Sequence, residues 1–391
     1  MGLLQDAIRP YARAGGFYAR SWRRYLDGDY DGDLPVVRPT VALAGQAFSD
    51  EVVLVGFRLL RNALTPADLE RIDAEVSEAR ALYEAQGWFD DPRGYLGDPP
   101  PLTEATVRPV VAGRRSYERV SFDSGYEPPP GDPGRDRWLS YAPNRRVHAW
   151  MLRHPEPRPW LVAVHGAGMG RPAMDMAIFR ARRLHEELGL NVVMPALPLH
   201  GPRRRGLGKD AAFPGEDILD DVHGAAQSVW DVRRLISWIR AEQGDDVRVG
   251  VSGISLGGYI SALVASTEPG LTVAVLGVPV ADLVDLLDRH AGPAPTPTHL
   301  EVVEEAKRIG RVVSPLALEP LVPPQGRYIY AGLADRLVHP RHQVSRLYQH
   351  WGRPQIEWYP GGHTGFFRSR PVQDFVERAL RDSGLVDPNL G

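Results

Sequence analysis

The sequence predicts an α/β fold in which a mostly parallel sheet of eight strands is covered by helices on both faces. Two observations predict it: short β-rich runs alternate with longer amphipathic runs, and 391 residues suffice for one large domain with an added segment. The predicted strands are 115–122, 147–153, 160–164, 191–196, 247–251, 272–278, 327–331 and 355–359. The predicted helices among them are 172–188, 218–243, 256–266, 340–351 and 371–381.

Two regions fall outside this alternation. Residues 1–110 form a predicted helical extension, in which an apolar period typical of helices predicts a helix at 66–86. Residues 281–324 lie between the sixth and seventh strands and are too long for a simple crossover, and prolines near their centre separate two helical stretches. We therefore expect a helical N-terminal extension, an α/β domain at 111–391 and a lid-like insertion at 281–324.

The beginning of the chain is amphipathic. At residues 2–26 a stripe of aromatic and aliphatic side chains follows one helical face, and arginines add positive charge. The stripe consists of Leu4, Ile8, Tyr11, Tyr18, Trp22 and Tyr25, and the arginines are Arg9, Arg13, Arg20, Arg23 and Arg24. Two interpretations are open: the helix packs on its own domain, or it contacts an anionic membrane or a partner.

The amino-acid composition excludes several kinds of site and several classes of protein. The chain has no cysteine, which excludes disulfides, thiolate zinc sites and a cysteine nucleophile. Its net charge of -3 gives no indication of nucleic-acid binding. No stretch approaches the roughly 20 apolar residues of a membrane span, and the first residues lack the apolar region of a secretory signal. We therefore expect a cytoplasmic protein whose nucleophile, if it has one, is an oxygen or nitrogen.

One short motif carries most of the functional information. Residues 253–257 read Gly-Ile-Ser-Leu-Gly and lie between a predicted strand and a predicted helix. A Gly-x-Ser-x-Gly turn at such a junction lifts a serine oxygen clear of the backbone, and its glycines let the neighbouring elements approach closely. The motif therefore predicts that Ser255 is a nucleophile.

A serine hydroxyl needs a histidine to accept its proton and a carboxylate to orient that histidine. Asp335 lies in the turn after the predicted strand 327–331, and His363 follows the next strand. We predict these two as the acid and the base. The alternatives are an ordinary turn or N-cap role for Asp335, a loop histidine bonded to backbone at His363, and Asp282 or Asp285 as reserve acid.

The negative charge that develops on a substrate carbonyl needs preorganised N–H donors. The first predicted donor is Leu256, directly after the serine. The second comes from residues 165–170, His-Gly-Ala-Gly-Met-Gly, where we predict the amide of Ala167 with Gly168 as alternate. A phosphate-binding loop is the competing interpretation, but the lysine and hydroxyl residue of that motif are missing.

Residues 198–205, Pro-Leu-His-Gly-Pro-Arg-Arg-Arg, follow the fourth predicted strand. Their place at the carboxyl edge of the sheet makes His200, Arg203 and Arg204 candidate substrate contacts, together with His165, although loop arginines are also commonly just solvated. His339 and His342 have no carboxylate partner that would complete a metal site. We predict neither a metal nor a cofactor.

Over residues 110–385 these motifs resemble the α/β-hydrolase superfamily. More narrowly, the loop at 199–204, the N-terminal extension and the pair Gly257 and Gly258 resemble the α/β-hydrolase-domain-containing-18 type, a group linked to lipid acyl-ester hydrolysis. The resemblance implies an acyl-enzyme on Ser255 that is cleaved by water activated by His363.

Three functional hypotheses follow from these residues. The leading one is a serine esterase or lipase-like enzyme that cleaves a small-molecule or lipid ester. The second is an amidase, a peptidase or an acyltransferase with the same three residues, and the third is a non-catalytic interaction protein on the same fold. The sequence leaves the oligomeric state and the acyl-chain length open.

Overall fold

The computed structural model describes residues 2–28, 33–60, 65–113, 115–291 and 297–386. Side chains are described from residue 10 onward, except at 58–60, 115, 291 and 297–302. The centre of the predicted insertion, 292–296, and the side chains of Leu4, Ile8 and Arg9 in the predicted N-terminal stripe therefore lie outside the described residues.

A sheet of nine strands forms the centre of the fold. The strands are β1 Thr106–Ala112, β2 Arg115–Asp123, β3 Arg146–Leu152, β4 Trp160–Val164, β5 Asn191–Pro195, β6 Val249–Ile254, β7 Leu271–Gly277, β8 Arg327–Gly332 and β9 Gln355–Tyr359. Their order is β1-β2-β3-β5-β4-β6-β7-β8-β9. The pairs among β1, β2, β3 and β5 are antiparallel and all the others are parallel, so the predicted mostly parallel α/β fold is confirmed.

The predicted count of eight strands is too low by one. All eight predicted strands exist, and β1 is the additional strand at the edge of the sheet. Its side chains are exposed or half-buried and it contains Pro109, so it has neither the apolar run nor the strict alternation that reveals a strand in sequence. Proline is tolerated there because an edge strand has N–H groups that face solvent.

Thirteen α-helices surround the sheet in the described part of the chain. They are α1 Gly2–Asp27, α2 Val41–Leu60, α3 Pro66–Gln86, α4 Pro92–Leu96, α5 Arg135–Ser140, α6 Pro172–Ile178, α7 Ala181–Glu186, α8 Ile218–Gln243, α9 Leu256–Thr267, α10 Leu283–Ala291, α11 Pro297–Gly310, α12 Ser345–His350 and α13 Arg370–Asp382. No helix among these described residues has both the length and the apolar character that crossing a bilayer requires.

Helices cover both faces because side chains alternate along the buried strands. In β4, Val162 and Val164 join the core formed with α3, α8 and α9, whereas Leu161 and Ala163 join the opposite core formed with α6, α7 and α13. A continuous apolar strand of this kind is typical of a sheet that is buried on both sides.

Two predicted helices differ in detail. The prediction at 172–188 becomes α6 and α7, because Arg180 adopts a left-handed conformation with φ of 51° that interrupts the helix. The prediction at 340–351 begins with a π-helical turn, Pro340–Val344, before α12. The extension contains α1, α2 and α4 besides the predicted α3.

The extension and the sheet domain are joined by ion pairs. Arg71 of α3 lies 2.7 Å from Asp217, which caps the N-terminus of α8, and Glu75 of α3 lies 2.7 Å from Arg137. β1 begins at Thr106, before the predicted division at residue 110. That division stays a prediction.

Candidate active site

Ser255 occupies a sharp turn between β6 and α9. Its backbone has φ of 55° and ψ of -117°, a region that non-glycine residues rarely adopt, and its N–H donates to the Gly277 carbonyl at 2.8 Å. The neighbouring Val278, directly after β7, also has a positive φ of 41°. Such strain persists only where the surrounding structure enforces it, and it concentrates at functional sites.

The glycines of the motif are required by close packing. A Cβ at Gly257 would overlap the carbonyl oxygens of Val164 and His165, and a Cβ at Gly253 would overlap the Gly257 carbonyl oxygen. β4 and its following loop therefore press directly against the start of α9. The sequence Gly-x-Ser-x-Gly is thus a steric requirement of this turn.

His363 and Asp335 form a buried hydrogen-bonded pair. His363 Nδ1 donates to Asp335 Oδ2 at 2.7 Å, and both residues are less than a tenth exposed. The other carboxylate oxygen of Asp335 accepts the N–H groups of Leu337 and Val338 at 2.9 and 2.7 Å. The turn after β8 therefore fixes the carboxylate, and the carboxylate fixes the imidazole with Nε2 available as a base.

The charge environment favours the protonated form of His363. Burial by itself would lower the pKa of this imidazole, but the Asp335 carboxylate and, to a lesser extent, Asp50 raise it above its usual value. A base of raised pKa is a better proton acceptor once it is neutral.

Ser255, Asp335 and His363 follow three parallel strands, β6, β8 and β9, and so lie at one edge of the sheet. Within the residues described, no hydrogen bond joins Ser255 Oγ to His363. Contacts between a nucleophile and its base are often long in the absence of substrate and tighten when it binds.

The loop at 165–170 lies against Ser255. A Cβ at Gly166 would be 3.4 Å from the Ser255 Cβ, and Gly168 adopts a left-handed φ of 76°. The end of the loop is fixed because the Gly170 N–H donates to the buried carboxylate of Asp175 at 3.2 Å. Leu256 is the first residue of α9, where N–H groups have no partner within the helix.

His165 and His200 pack against each other inside the protein, with ring centroids 5.0 Å apart. Both nitrogens of His165 are used: Nε2 accepts the Leu197 N–H at 3.0 Å, and Nδ1 donates to the Gly166 carbonyl at 2.8 Å. Burial lowers the pKa of His165 to about 3 and of His200 to about 4. His165 therefore holds the loop in shape and has no ring nitrogen left for a substrate.

Arg203 differs from its predicted role. Its side chain is fully buried, 2.8 Å from the Asp231 carboxylate, and it also donates to the carbonyl oxygens of Ala196 and Asn144. The structure gives it a packing function in place of the predicted substrate contact. Its neighbour Arg204 is exposed and donates to the Lys209 carbonyl at 3.1 Å.

Replacing Arg203 by methionine should lower the free energy of unfolding by about 3 kcal/mol, because the buried Asp231 carboxylate would lose its counter-charge. Urea denaturation measures this change. Arg204→Met is the matched control and should change stability by less than about 0.5 kcal/mol. Equal stabilities of the two variants would contradict the structural role of Arg203.

Two further residues at this site, Gln46 and Asp50 of α2, were not predicted from the sequence. Asp50 Oδ2 accepts the N–H of His363 at 2.8 Å and the N–H of Arg336 at 3.0 Å, and Gln46 Oε1 accepts the N–H of Gly362 at 2.8 Å. The extension therefore holds the backbone on both sides of the histidine–aspartate pair. No motif or spacing in the sequence relates residue 50 to residue 363.

Asp50 is a second buried carboxyl beside Asp335. Burial and the nearby Asp335 charge raise the pKa of Asp50 to about 7, although His363 and the two backbone donors oppose this shift. Asp50 therefore changes its protonation state near neutral pH, directly beside the histidine–aspartate pair.

The reserve acids lie elsewhere. Asp282 is 3.0 Å from Arg346, and Asp285 is 2.8 Å from Arg289 one helical turn away. Neither is bonded to His363, whose carboxylate partner is Asp335. Over the residues that the structure describes, no group of three or more potential ligand side chains could hold a metal ion.

Two proteins of Mycobacterium tuberculosis are close relatives of this chain. Uncharacterized protein MT2702 of strain CDC 1551 / Oshkosh and Uncharacterized protein Rv2627c of strain ATCC 25618 / H37Rv are each 57% identical over 385 residues, which cover 98% of this chain and 93% of theirs. The chain belongs to their family.

More distant comparisons agree with the fold. Residues 221–305, which include Ser255, match the family model described as X-Pro dipeptidyl-peptidase (S15 family). Among solved structures, the acetyl xylan esterase from Paenibacillus sp. R4 is similar with a TM-score of 0.51 and 17% identity, over 77% of this chain and 94% of that one. The protein has the α/β-hydrolase fold.

Proposed function

We propose that this protein is a serine hydrolase that cleaves a carboxylic ester, with Ser255 as nucleophile, His363 as general base and Asp335 as the acid that orients it. The observation that carries the proposal is the 2.7 Å bond between the buried His363 and Asp335, at the same sheet edge as the strained Ser255 turn. These are the three chemical roles that acyl transfer through serine needs.

In the proposed reaction, Ser255 Oγ attacks the ester carbonyl carbon and His363 Nε2 takes its proton. The N–H groups of Leu256 and Ala167, with Gly168 as alternate, stabilise the oxyanion. Collapse breaks the bond to the alcohol oxygen, which leaves with the proton from His363. Water, deprotonated by His363, then attacks the acyl-enzyme and releases the acid and the free serine.

A bulky acyl group is the proposed substrate feature, in line with the resemblance to the α/β-hydrolase-domain-containing-18 type. A cavity of about 550 Å³ lies beneath α10 and α11, which belong to the predicted lid. Tyr259, one helical turn after Ser255, lines this cavity together with Leu283 and Val313. Charged side chains, including Glu304, Lys307 and Arg308 of α11, line another part of it, and Ser255 itself is not among the lining residues. A volume of this size is within the range of ligand pockets.

A peptidase is the second candidate, and the match of residues 221–305 to the X-Pro dipeptidyl-peptidase model favours it. Ester and amide cleavage use the same nucleophile and base, so side-by-side rates separate the two candidates. An activated ester is intrinsically more reactive than an anilide, so each kcat/KM is divided by the rate of uncatalysed hydrolysis of the same substrate. A larger acceleration for p-nitrophenyl esters than for an X-Pro p-nitroanilide favours the esterase, and the reverse order favours the peptidase.

The proposal predicts one covalent adduct on Ser255. A fluorophosphonate probe should add a single mass to the intact wild-type protein, and Ser255→Ala should remove the adduct completely. Ser252→Ala, which changes a buried serine three residues earlier in β6, is the matched control and should label like wild type. Labelling that persists in Ser255→Ala, or no labelling of the wild type, would contradict the proposal.

A further inference from the structure

A second cavity of about 340 Å³ lies between the N-terminal helices, α10 and the turn that follows β8. Four arginines from three different parts of the fold line it: Arg13 and Arg20 of α1, Arg289 of α10 and Arg336 of the turn. Glu51 of α2 is its one acidic lining residue within the described part of the chain. The pocket is therefore strongly cationic.

The single carboxylate is shared between two arginines. Glu51 lies 3.5 Å from Arg13 and 3.0 Å from Arg336, and its side chain is only 3% exposed. Arg289 pairs with Asp285 of its own helix, which does not line the cavity. Arg20 is exposed and takes part in no ion pair with the residues that the structure describes. Positive charge thus exceeds negative charge on the cavity wall.

His339, another lining residue, responds to this field. Burial, as the largest cause, and the neighbouring His342, Arg336, Arg289 and Arg24 together lower its pKa to about 3. Its charged neighbours all act in the same direction, so the imidazole stays neutral at physiological pH. An anion in the cavity would meet several cations and only one carboxylate, which is already paired.

We propose that this pocket binds the phosphate group of a small phosphate ester. A guanidinium presents planar N–H donors that match phosphate oxygens, and a phosphate monoester carries close to two negative charges at neutral pH. Arginines that converge from separate elements suit a group with three equivalent oxygens. The volume is near the lower end of the range for ligand pockets, which fits a phosphate with a small substituent.

The pocket shares a residue with the turn that holds Asp335. Arg336 contributes its side chain to the cavity, while its backbone N–H donates to Asp50 at 3.0 Å. Asp50 and Glu51 are adjacent on α2 and face the two sites. The proposed phosphate site is inferred only from the cavity and the charges of its lining residues. It therefore does not depend on whether the protein hydrolyses esters.

The phosphate ester has two chemical sources, a soluble metabolite or the headgroup of an anionic lipid. The second source would also explain apolar side chains that α1 exposes, since Tyr11 is 68% and Leu26 is 74% exposed. The tests therefore need a soluble arm and a vesicle arm.

The soluble arm is calorimetric titration with glycerol 3-phosphate and with inorganic phosphate, at pH 7.5 and constant ionic strength. The double variant Arg20→Gln/Arg289→Gln should raise the dissociation constant of glycerol 3-phosphate at least tenfold. Arg108→Gln/Arg381→Gln removes the same charge from exposed positions elsewhere and should stay within twofold of wild type. Unchanged melting temperatures show that both variants fold, and equal weakening in both would overturn the proposal.

The vesicle arm is co-sedimentation with phosphatidylcholine vesicles that either contain or lack phosphatidic acid. Binding that needs both phosphatidic acid and the pair Arg20 and Arg289 assigns the pocket to a lipid headgroup. Saturable glycerol 3-phosphate binding without vesicle binding assigns it to a soluble ester. Binding in neither arm would overturn the phosphate site.

Discussion

Replacing Asp335 by asparagine is expected to lower kcat for a p-nitrophenyl ester by about 10⁴-fold. The carboxylate accepts the Nδ1 proton of His363 at 2.7 Å, which leaves Nε2 free to take the serine proton. An asparagine amide can donate to Nδ1 instead and so favours the tautomer that has its proton on Nε2. Steady-state rates at pH 8 measure the effect, and KM should change little because the lost interaction acts on the base.

Asp282→Asn is the matched control, because Asp282 was the reserve acid and forms its ion pair with Arg346. Its kcat should stay within about threefold of wild type. If Asp282→Asn abolished activity and Asp335→Asn did not, the assignment of the acid would be wrong.

Replacing Asp50 by alanine is expected to lower kcat by about 10 to 100-fold, although residue 50 lies in the N-terminal extension. The change leaves the N–H groups of His363 and Arg336 without their buried acceptor, so the backbone on both sides of the histidine–aspartate pair loses its support. Asp50→Asn keeps an acceptor oxygen and should recover most of the rate. Asp98→Asn, an exposed aspartate of the same extension, is the control and should resemble wild type.

Asp50→Asn should also move the acidic limb of the kcat/KM profile to lower pH. Asp50, when ionised, helps to raise the pKa of His363, and the variant removes that charge. A merely structural role for Asp50 would change the height of the profile and leave the position of the limb unchanged. A limb at the wild-type pH in Asp50→Asn would contradict the electrostatic role.

The same variant should change how stability depends on pH. The pKa of Asp50 is about 7 in the folded protein and near 3.8 when unfolded, so folding takes up a proton between these values. Its contribution to stability is present below about pH 4 and is lost as pH rises through about 7. Relative to wild type, Asp50→Asn should therefore gain stability across this window, as measured by urea denaturation at pH 5 and pH 8.

The sequence could predict which residues lie together at the edge of the sheet, because local patterns determine these positions. Ser255 lies in a five-residue motif, and Asp335 and His363 follow predicted strands in the order that the resemblance implies. Parallel strands bring their carboxyl ends to one edge, so local signals suffice to predict which side chains meet there. The edge strand β1 was not predicted, because its exposed side chains do not show the alternation of apolar and polar residues that reveals a strand.

The sequence could not predict roles that depend on tertiary placement. Whether Arg203 is solvated or buried depends on Asp231, which lies on α8 and has no sequence relation to the arginine loop. The helix α2 was not predicted, because apolar residues occupy most of its sides and hide the helical period. No predicted element therefore placed Asp50 near His363. Contacts of this kind become visible only once the chain is folded.

The bond from Asp50 to the backbone of His363 joins residues 313 positions apart. During synthesis, α2 leaves the ribosome long before β9 and its loop exist, so this contact is made after nearly all of the chain has been translated. Closing so long a loop is slow, and it cannot precede formation of the last strand. The order of synthesis thus delays completion of the proposed site, because His363, the base proposed for Ser255, follows the last strand of the sheet.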